Sequence, residues 1–287
     1  MRTYIVSLFE KTSNDTFMSD KKPELSAAMK RKLEPKKFTK NPILGTKFTI
    51  AISSAKGGVG KSTFATNLAL ALKKIGCKVG LLDADIYGPS IPDLFGAFEK
   101  PTADENKKLK PIIRQNVKLI SMGFLIDKNS PMVWRGPMVI SAIKSFLNNV
   151  SWGELDCLFV DLPPGTGDAI LTFAQELDVS SSIIITTPQK LSITDANRGI
   201  EMFKKTNIPV LGVIENMSFI SDQNNNKSYP FGKNGSDQLC KDQKVDLLDK
   251  IRIDETFNLC TNNGVVYEDL AEDIKIQFSK ISERIIN

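Results

Sequence analysis

The sequence contains no histidine. That absence excludes Ser-His-Asp and Cys-His nucleophilic chemistry, and with them every His-ligated zinc, haem or Rieske centre. Acid–base work is left to Asp, Glu, Lys, Cys, Tyr or bound water. Cysteine is scarce: Cys77, Cys157, Cys240 and Cys260 are the whole set, and no C-x-x-C occurs. Zinc-ribbon, dithiol-redox and ferredoxin spacings are therefore excluded. No apolar run approaches the roughly 20 residues of a membrane-spanning helix. The first forty residues carry neither a secretion-signal core nor the acid-poor composition of a transit peptide. The expected location is the cytoplasm, with free thiols.

The 287 residues are 41% hydrophobic and 25% charged, the balance of a globular protein with a sizeable core. The net charge of +5 arises entirely in residues 1–40, which hold ten Lys/Arg against five Asp/Glu; the remainder is balanced. Residues 1–42, Lys-rich and carrying Pro23, Pro35 and Pro42, read as a flexible, disordered basic arm with a short helix over 23–32. A neutral body argues against a nucleic-acid partner. Residues 43–287 read as one domain.

From residue 47 the pattern is strand, loop, helix, repeated. Apolar runs at 48–53, 78–83, 117–122, 155–161, 183–187 and 209–214 predict six buried strands. Helical periodicity predicts helices over 61–75, 137–149, 168–177, 193–205, 235–243 and 268–285. Such alternation indicates an α/β fold, a mostly parallel sheet covered by helices on both faces. In the last segment Leu270, Ile274, Phe278, Ile281 and Ile285 share a face, and acids outnumber bases on the rest. It is expected to pack against the sheet rather than lie on a membrane.

The first strand leads into Ala55-Lys56-Gly57-Gly58-Val59-Gly60-Lys61-Ser62-Thr63, and a helix opens within that run. A strand–glycine loop–helix of this kind is a phosphate loop: glycines let backbone amides turn toward phosphate oxygens, and the helix N-terminus adds positive charge. Lys61 is expected to reach the β/γ-phosphates and the Ser62 hydroxyl to ligate Mg²⁺. The domain is thus read as a single P-loop NTPase domain. Asp83 and Asp85 end the second strand, facing the ligand crevice of such a sheet. Cys157-Leu158-Phe159-Val160-Asp161 has the shape of a Walker B strand, with Asp161 expected on Mg²⁺. Residues 162–168 form a Pro/Gly loop suited to sensing a γ-phosphate.

The loop with its early second lysine, Lys56, resembles the deviant phosphate loop of the MinD/ParA superfamily. That resemblance implies an ATP-bound homodimer in which Lys56 acts in trans, Asp85 positioning the attacking water, Asp83 supporting Mg²⁺ or the loop, and Asn216 bonding the adenine with Thr187-Pro188 beside it. Residues 81–92, 132–138 (with Trp134 and Arg135), 161–168 and Asn216-Met217-Ser218 closely resemble the Mrp/ApbC family of iron–sulfur cluster carriers. The likeness runs from about residue 43 to 266. It implies slow ATP hydrolysis, ATP and Mg²⁺ as cofactors, a [4Fe–4S] cluster shared between two subunits, and apo iron–sulfur proteins as clients. Family members that bind a cluster carry C-x-x-C shortly after Asn-Met-Ser. Here the matching positions are Asp222 and Asn225, poor ligands for a soft iron–sulfur core. Cys77 and Cys157 read as packing, and Cys240 and Cys260 are the thiols left over, neither assigned as a ligand; the cluster ligands stay unknown. Two alternatives share the scaffold: a ParA/MinD-type positioning ATPase switched on DNA or membrane, and a ligase or kinase.

Overall fold

The structure, a computed structural model, describes residues 42–86, 88–124, 149–257 and 267–286, with Met138, Ser141, Ala142, Ser145 and Phe146. The arm, the helix at 23–32, Trp134, Arg135 and Cys260 lie outside these residues, as does most of the 137–149 helix.

Eight strands form one sheet. In chain order they are β1 (Thr46–Ser53), β2 (Val79–Asp83), β3 (Ile112–Arg114), β4 (Val117–Ser121), β5 (Leu155–Asp161), β6 (Ser181–Thr186), β7 (Val210–Glu215) and β10 (Leu247–Lys250). Their spatial order is β10-β7-β6-β1-β5-β2-β4-β3. All neighbours are parallel except β3 with β4. The six strands expected from sequence are present. Two short edge strands, β3 and β10, extend the sheet. A separate hairpin pairs β8 (Ile220–Ser221) with β9 (Lys227–Ser228).

Side chains alternate between two apolar layers, as a pleated strand requires. Ile50, Ile52, Leu81, Phe159 and Ile183 belong to one, and Ala51, Leu82, Leu158, Val160 and Ile184 to the other. The first layer is covered by α1 (Lys61–Lys74) and by α6 (Glu272–Ile286). Between these in sequence come α2 (Ile91–Phe95), α3 (Asp168–Glu176), α4 (Lys190–Lys205) and α5 (Gly235–Gln243). The last three contribute to the second layer. In α1 the run Phe64–Leu72 is buried throughout, so the helix is a core element, and it stops where Gly76 adopts φ +95.

The last helix lies on the first apolar layer and reaches the sheet at its β10 edge. Its buried face, Ile274, Phe278, Ile281 and Ile285, packs on α1 through Phe278 against Phe64 with ring centroids 5.2 Å apart, and Gln277 Nε2 donates to the Lys250 carbonyl of β10 at 3.1 Å. Phe257 closes the aromatic cluster, 6.2 Å from Phe64. Among the described residues no helix is long and apolar enough to cross a membrane.

Candidate functional site

The strand order reverses at β1, which lies between β5 and β6 and is followed by the phosphate loop. Ligands of open α/β sheets bind at such a switch point, beyond the carboxyl ends of the strands. Here those ends supply Ser53 and Ser54 from β1, Asp83 and Asp85 from β2, and Asp161 from β5. A cleft of about 260 Å³ opens over them, lined by residues of the phosphate loop with Asp85, Ser90 and Pro164.

The loop has the backbone its glycines permit. Gly58 and Gly60 lie at φ +79 and +91, the left-handed region that side chains resist. Ala55 is half-buried, Val59 buried, and Lys56, Gly57 and Gly58 exposed. Gly60 precedes α1, so the first amides of that helix, at Lys61, Ser62 and Thr63, face the cleft without helical partners.

Lys61 is buried, and its ammonium holds the site together. It donates to Asp161 Oδ1 at 2.6 Å and to the Ser62 hydroxyl at 3.3 Å, and lies 3.8 Å from Asp85 Oδ2. The Ser62 hydroxyl donates to Asp161 Oδ2 at 2.5 Å. A fully buried carboxylate and a hydroxyl brought together in this way are the hard oxygen donors that Mg²⁺ takes, so the residues fit that ion.

Asp83 is used differently. Its Oδ1 accepts the Asp85 amide at 3.1 Å, and its Oδ2 accepts the Ser121 hydroxyl at 2.8 Å and the Ile91 amide at 3.2 Å. These bonds tie Asp83 to the loop after β2 and to β4. Asp85 Oδ1 in turn accepts the Gly88 amide at 3.2 Å. Burial, with the Asp161 charge opposite it on β5, pushes Asp83 up to about 7. Burial raises Asp161 too, opposed by Lys61 and Ser62.

The sign of this shift gives a testable slope. A carboxyl whose folded value lies above its ordinary 3.8 contributes stability that is complete below that value and is lost as pH rises toward about 7. The chain free of nucleotide and magnesium is expected to lose urea resistance between pH 5 and pH 8, by on the order of 2 kcal/mol from Asp83. Asp83→Asn should flatten that slope; an equally steep slope in the variant would refute the assignment.

Asn216 is buried at the end of β7, against the phosphate loop. Its amide Nδ2 donates to the Val59 carbonyl at 2.9 Å, and its backbone N–H to the Thr186 carbonyl at 2.8 Å. It supports the phosphate loop from β7. An alanine Cβ at Gly60 would sit 2.6 Å from that Nδ2, on a left-handed backbone. Gly60→Ala is therefore expected to cost about 2–3 kcal/mol, from left-handed strain and a broken hydrogen bond. ATP affinity should fall with it. At Gly57 a Cβ meets nothing within 4 Å, so Gly57→Ala should leave the urea midpoint within about 0.5 kcal/mol of wild type.

The Pro/Gly loop after β5 touches the phosphate loop directly. The Gly165 amide donates to the Ser54 carbonyl at 2.9 Å, at φ +101. Thr187 is spent locally on the Ser192 hydroxyl at 2.9 Å.

Two groups escaped the sequence reading. Ser121 sits in register with Asp83 on the neighbouring strand; its signal was a lone hydroxyl at the carboxyl end of an apolar strand. Glu215 is fully buried and accepts the Ser218 hydroxyl at 2.6 Å and the Ser236 hydroxyl and amide at 2.6 and 2.9 Å. A charged end to an apolar strand was its signal, but its partners lie across the hairpin.

None of the three described thiols is exposed. Cys157 is fully buried in β5, and burial pushes it far up. Cys77, expected to be buried, is half-buried. Cys240 is buried in the second apolar layer and pushed up to about 11 by burial. Among the described residues no three Cys, Asp or Glu side chains gather into a metal site of their own. At the hairpin, Asp222 accepts the Asn224 and Asn226 amides at 2.9 and 2.8 Å and Asn226 Nδ2 at 3.0 Å, and Asn225 sits at φ +62. These two residues form a self-satisfied turn.

The chain is 43% identical over 245 residues to an Arabidopsis thaliana protein named iron–sulfur protein required for NADH dehydrogenase, mitochondrial, covering 80% of this chain and 78% of that one. It is 46% identical over 220 residues to an iron–sulfur cluster carrier protein of Aquifex aeolicus, covering 76% of this chain and 60% of that longer one. Among solved structures, a nucleotide-binding protein of Archaeoglobus fulgidus in complex with ADP superposes with a TM-score of 0.70 at 37% identity, over 79% of this chain and 90% of that one. A ParA family profile described as NUBPL iron-transfer P-loop NTPase matches residues 45–286. With the match spanning nearly the whole described fold, the chain belongs to the NUBPL iron-transfer P-loop NTPase family.

Proposed function

We propose that this protein is a slow ATPase that carries iron–sulfur clusters to apo iron–sulfur proteins in the cytoplasm, working as a homodimer when ATP is bound. The observation that carries the reading is the Lys61–Ser62–Asp161–Asp85 constellation beneath a left-handed glycine loop, in a chain whose relatives are named cluster carriers. Lys61 neutralises β/γ-phosphate charge. The amides at the start of α1 bind the phosphate oxygens. Asp85 orients the attacking water, and Asp83 fixes the loop that carries Asp85. Ser62 and Asp161 would hold Mg²⁺, whose chemistry here is to neutralise developing phosphate charge. Asn216 keeps the loop in its binding shape through Nδ2 and offers its Oδ1 to the adenine. The Gly165 contact with Ser54 makes loop 162–167 the element that reports hydrolysis.

The cluster is cargo. The turn at Asp222 and Asn225 offers it no thiolate, and Cys157 and Cys240 are sealed in the core, so this chain does not hold it at the hairpin. Anaerobic reconstitution with ferrous iron and sulfide tests the whole reading. Protein-bound iron and acid-labile sulfide are measured per dimer, then transfer to an apo-acceptor with and without ATP. The expected result is a transferable cluster whose iron content is unchanged in Asp222→Ala/Asn225→Ala. Iron at background with ATP turnover intact would reduce the protein to a nucleotide switch.

A further inference from the structure

Beyond the nucleotide cleft, residues 216–236 form a surface with an unusual balance. The segment holds two lysines and one acid, and the acid, Asp222, turns its carboxylate onto the amides of its own turn. Both lysines are seated on aromatic rings: Lys227 Nζ is 4.1 Å from the Phe219 centroid and Lys233 Nζ 4.9 Å from that of Tyr229. The two rings are 6.3 Å apart. Lysine–ring stacking fixes the positions of charges that would otherwise sweep a wide arc. Alongside them stand exposed apolar groups, Ile220, Phe231 and, at the start of α4, Leu191 at 70% exposure next to exposed Lys190. The two parts are contiguous, since a Cβ at Gly232 or Gly235 would lie 3.5 or 2.6 Å from the Pro188 carbonyl.

The surface is also held rigidly at its base. Ser218 and Ser236, at its two ends, are both bonded to the buried Glu215 carboxylate. The Ser218 amide donates to the Ile251 carbonyl and the Ile253 amide to the Phe219 carbonyl, at 2.9 and 2.8 Å. Fixed cations around exposed apolar side chains complement a ligand of the opposite sign with apolar anchors. We infer that the 219–233 hairpin and the first turn of α4 dock an acidic, amphipathic segment of a protein partner. The inference rests on the carrier reading for one point, that the partner is a client protein.

The test uses the full chain and two fluorescein-labelled helical peptides. One presents Glu with Leu at i, i+3 and i+4 spacing; its twin has Lys for every Glu. Binding is read by fluorescence anisotropy at low and at moderate salt. The wild type should bind the acidic peptide and not the twin. Lys227→Glu/Lys233→Glu should weaken the acidic peptide by about tenfold or more and admit the twin. Leu191→Ser should weaken the acidic peptide without admitting the twin. ATP turnover should match wild type in all variants, so failure of the carrier reading shows in turnover or reconstitution and failure of the docking inference shows in anisotropy. Equal binding of both peptides, or indifference to the double reversal, would overturn the inference. So would a dimer that sediments as monomer only in the reversal variant, which would make a second copy the occupant. Patch-dependent binding to phosphatidylglycerol vesicles without peptide binding would assign the surface to lipid and overturn it as well.

Discussion

Lys61→Ala is expected to abolish ATP turnover, by about 10³-fold or more, because it removes the cation that meets phosphate charge in a buried site. It should also damage the fold. Asp161 is fully buried, Asp83 is fully buried opposite it, and Asp85 lies 3.8 Å from the same ammonium. Taking that ammonium away leaves buried carboxylates without their counter-charge, a change that costs about 3–5 kcal/mol. The cost should be smaller at pH 5 than at pH 8, because burial raises Asp83 and Asp161, and at the lower pH these two escape by taking up protons. Lys61→Ala/Asp161→Asn separates the two effects. It should recover most of the urea resistance, since the orphaned charge is gone, and none of the turnover. An unchanged urea midpoint in Lys61→Ala would show that water already screens the pair.

How far the sequence foretold this arrangement depends on the range over which each signal acts. The six central strands were legible because each is an apolar run bounded by turn residues. β3 and β10 were not: a strand of three or four residues at a sheet edge, with at most one of them buried, carries no run of its own. α4 was placed to begin at residue 193 but begins at Lys190, whose first turn shows Leu191 to solvent and so lacks the apolar period. The carboxylates of the site were legible because they end strands, and position at a strand end is local. Their partners were not. Asp83 meets Ser121, Glu215 meets Ser236 and Asn216 meets the Val59 carbonyl, all by tertiary hydrogen bonds that no local spacing announces. Asn216 shows the consequence. The resemblance implied only a bond to adenine for it; the bond from its amide to the Val59 carbonyl, which holds the loop, joins residues 157 positions apart. Cys240 shows the same limit, since helical periodicity did not say which face α5 would bury.

Lys56→Ala should lower turnover about as much as Lys61→Ala, by about 10³-fold or more, yet leave stability untouched. Lys56 is exposed, next in the chain to Gly57 of the cleft lining, whereas Lys61 is buried. An exposed lysine contributes little to the fold, so the loss would be one of chemistry alone. The remaining question is which subunit's phosphate it serves, and mixing answers it. Asp85→Asn disables a site while leaving its Lys56 in place; Lys56→Ala leaves a site complete except for the incoming lysine. Each alone should be inactive. If Lys56 acts across the dimer, a mixed dimer rebuilds one whole site, the Asp85 of one subunit with the Lys56 of the other. Random exchange in an equal mixture makes about half the dimers mixed, each with one of two sites live, so turnover should recover to about a quarter of wild type. If Lys56 acts on its own subunit's nucleotide, every site in the mixture lacks one part, and no recovery is expected at any ratio. That second outcome would remove the reason for tying ATP to dimer closure, because a lysine working within its own subunit needs no partner to complete the site.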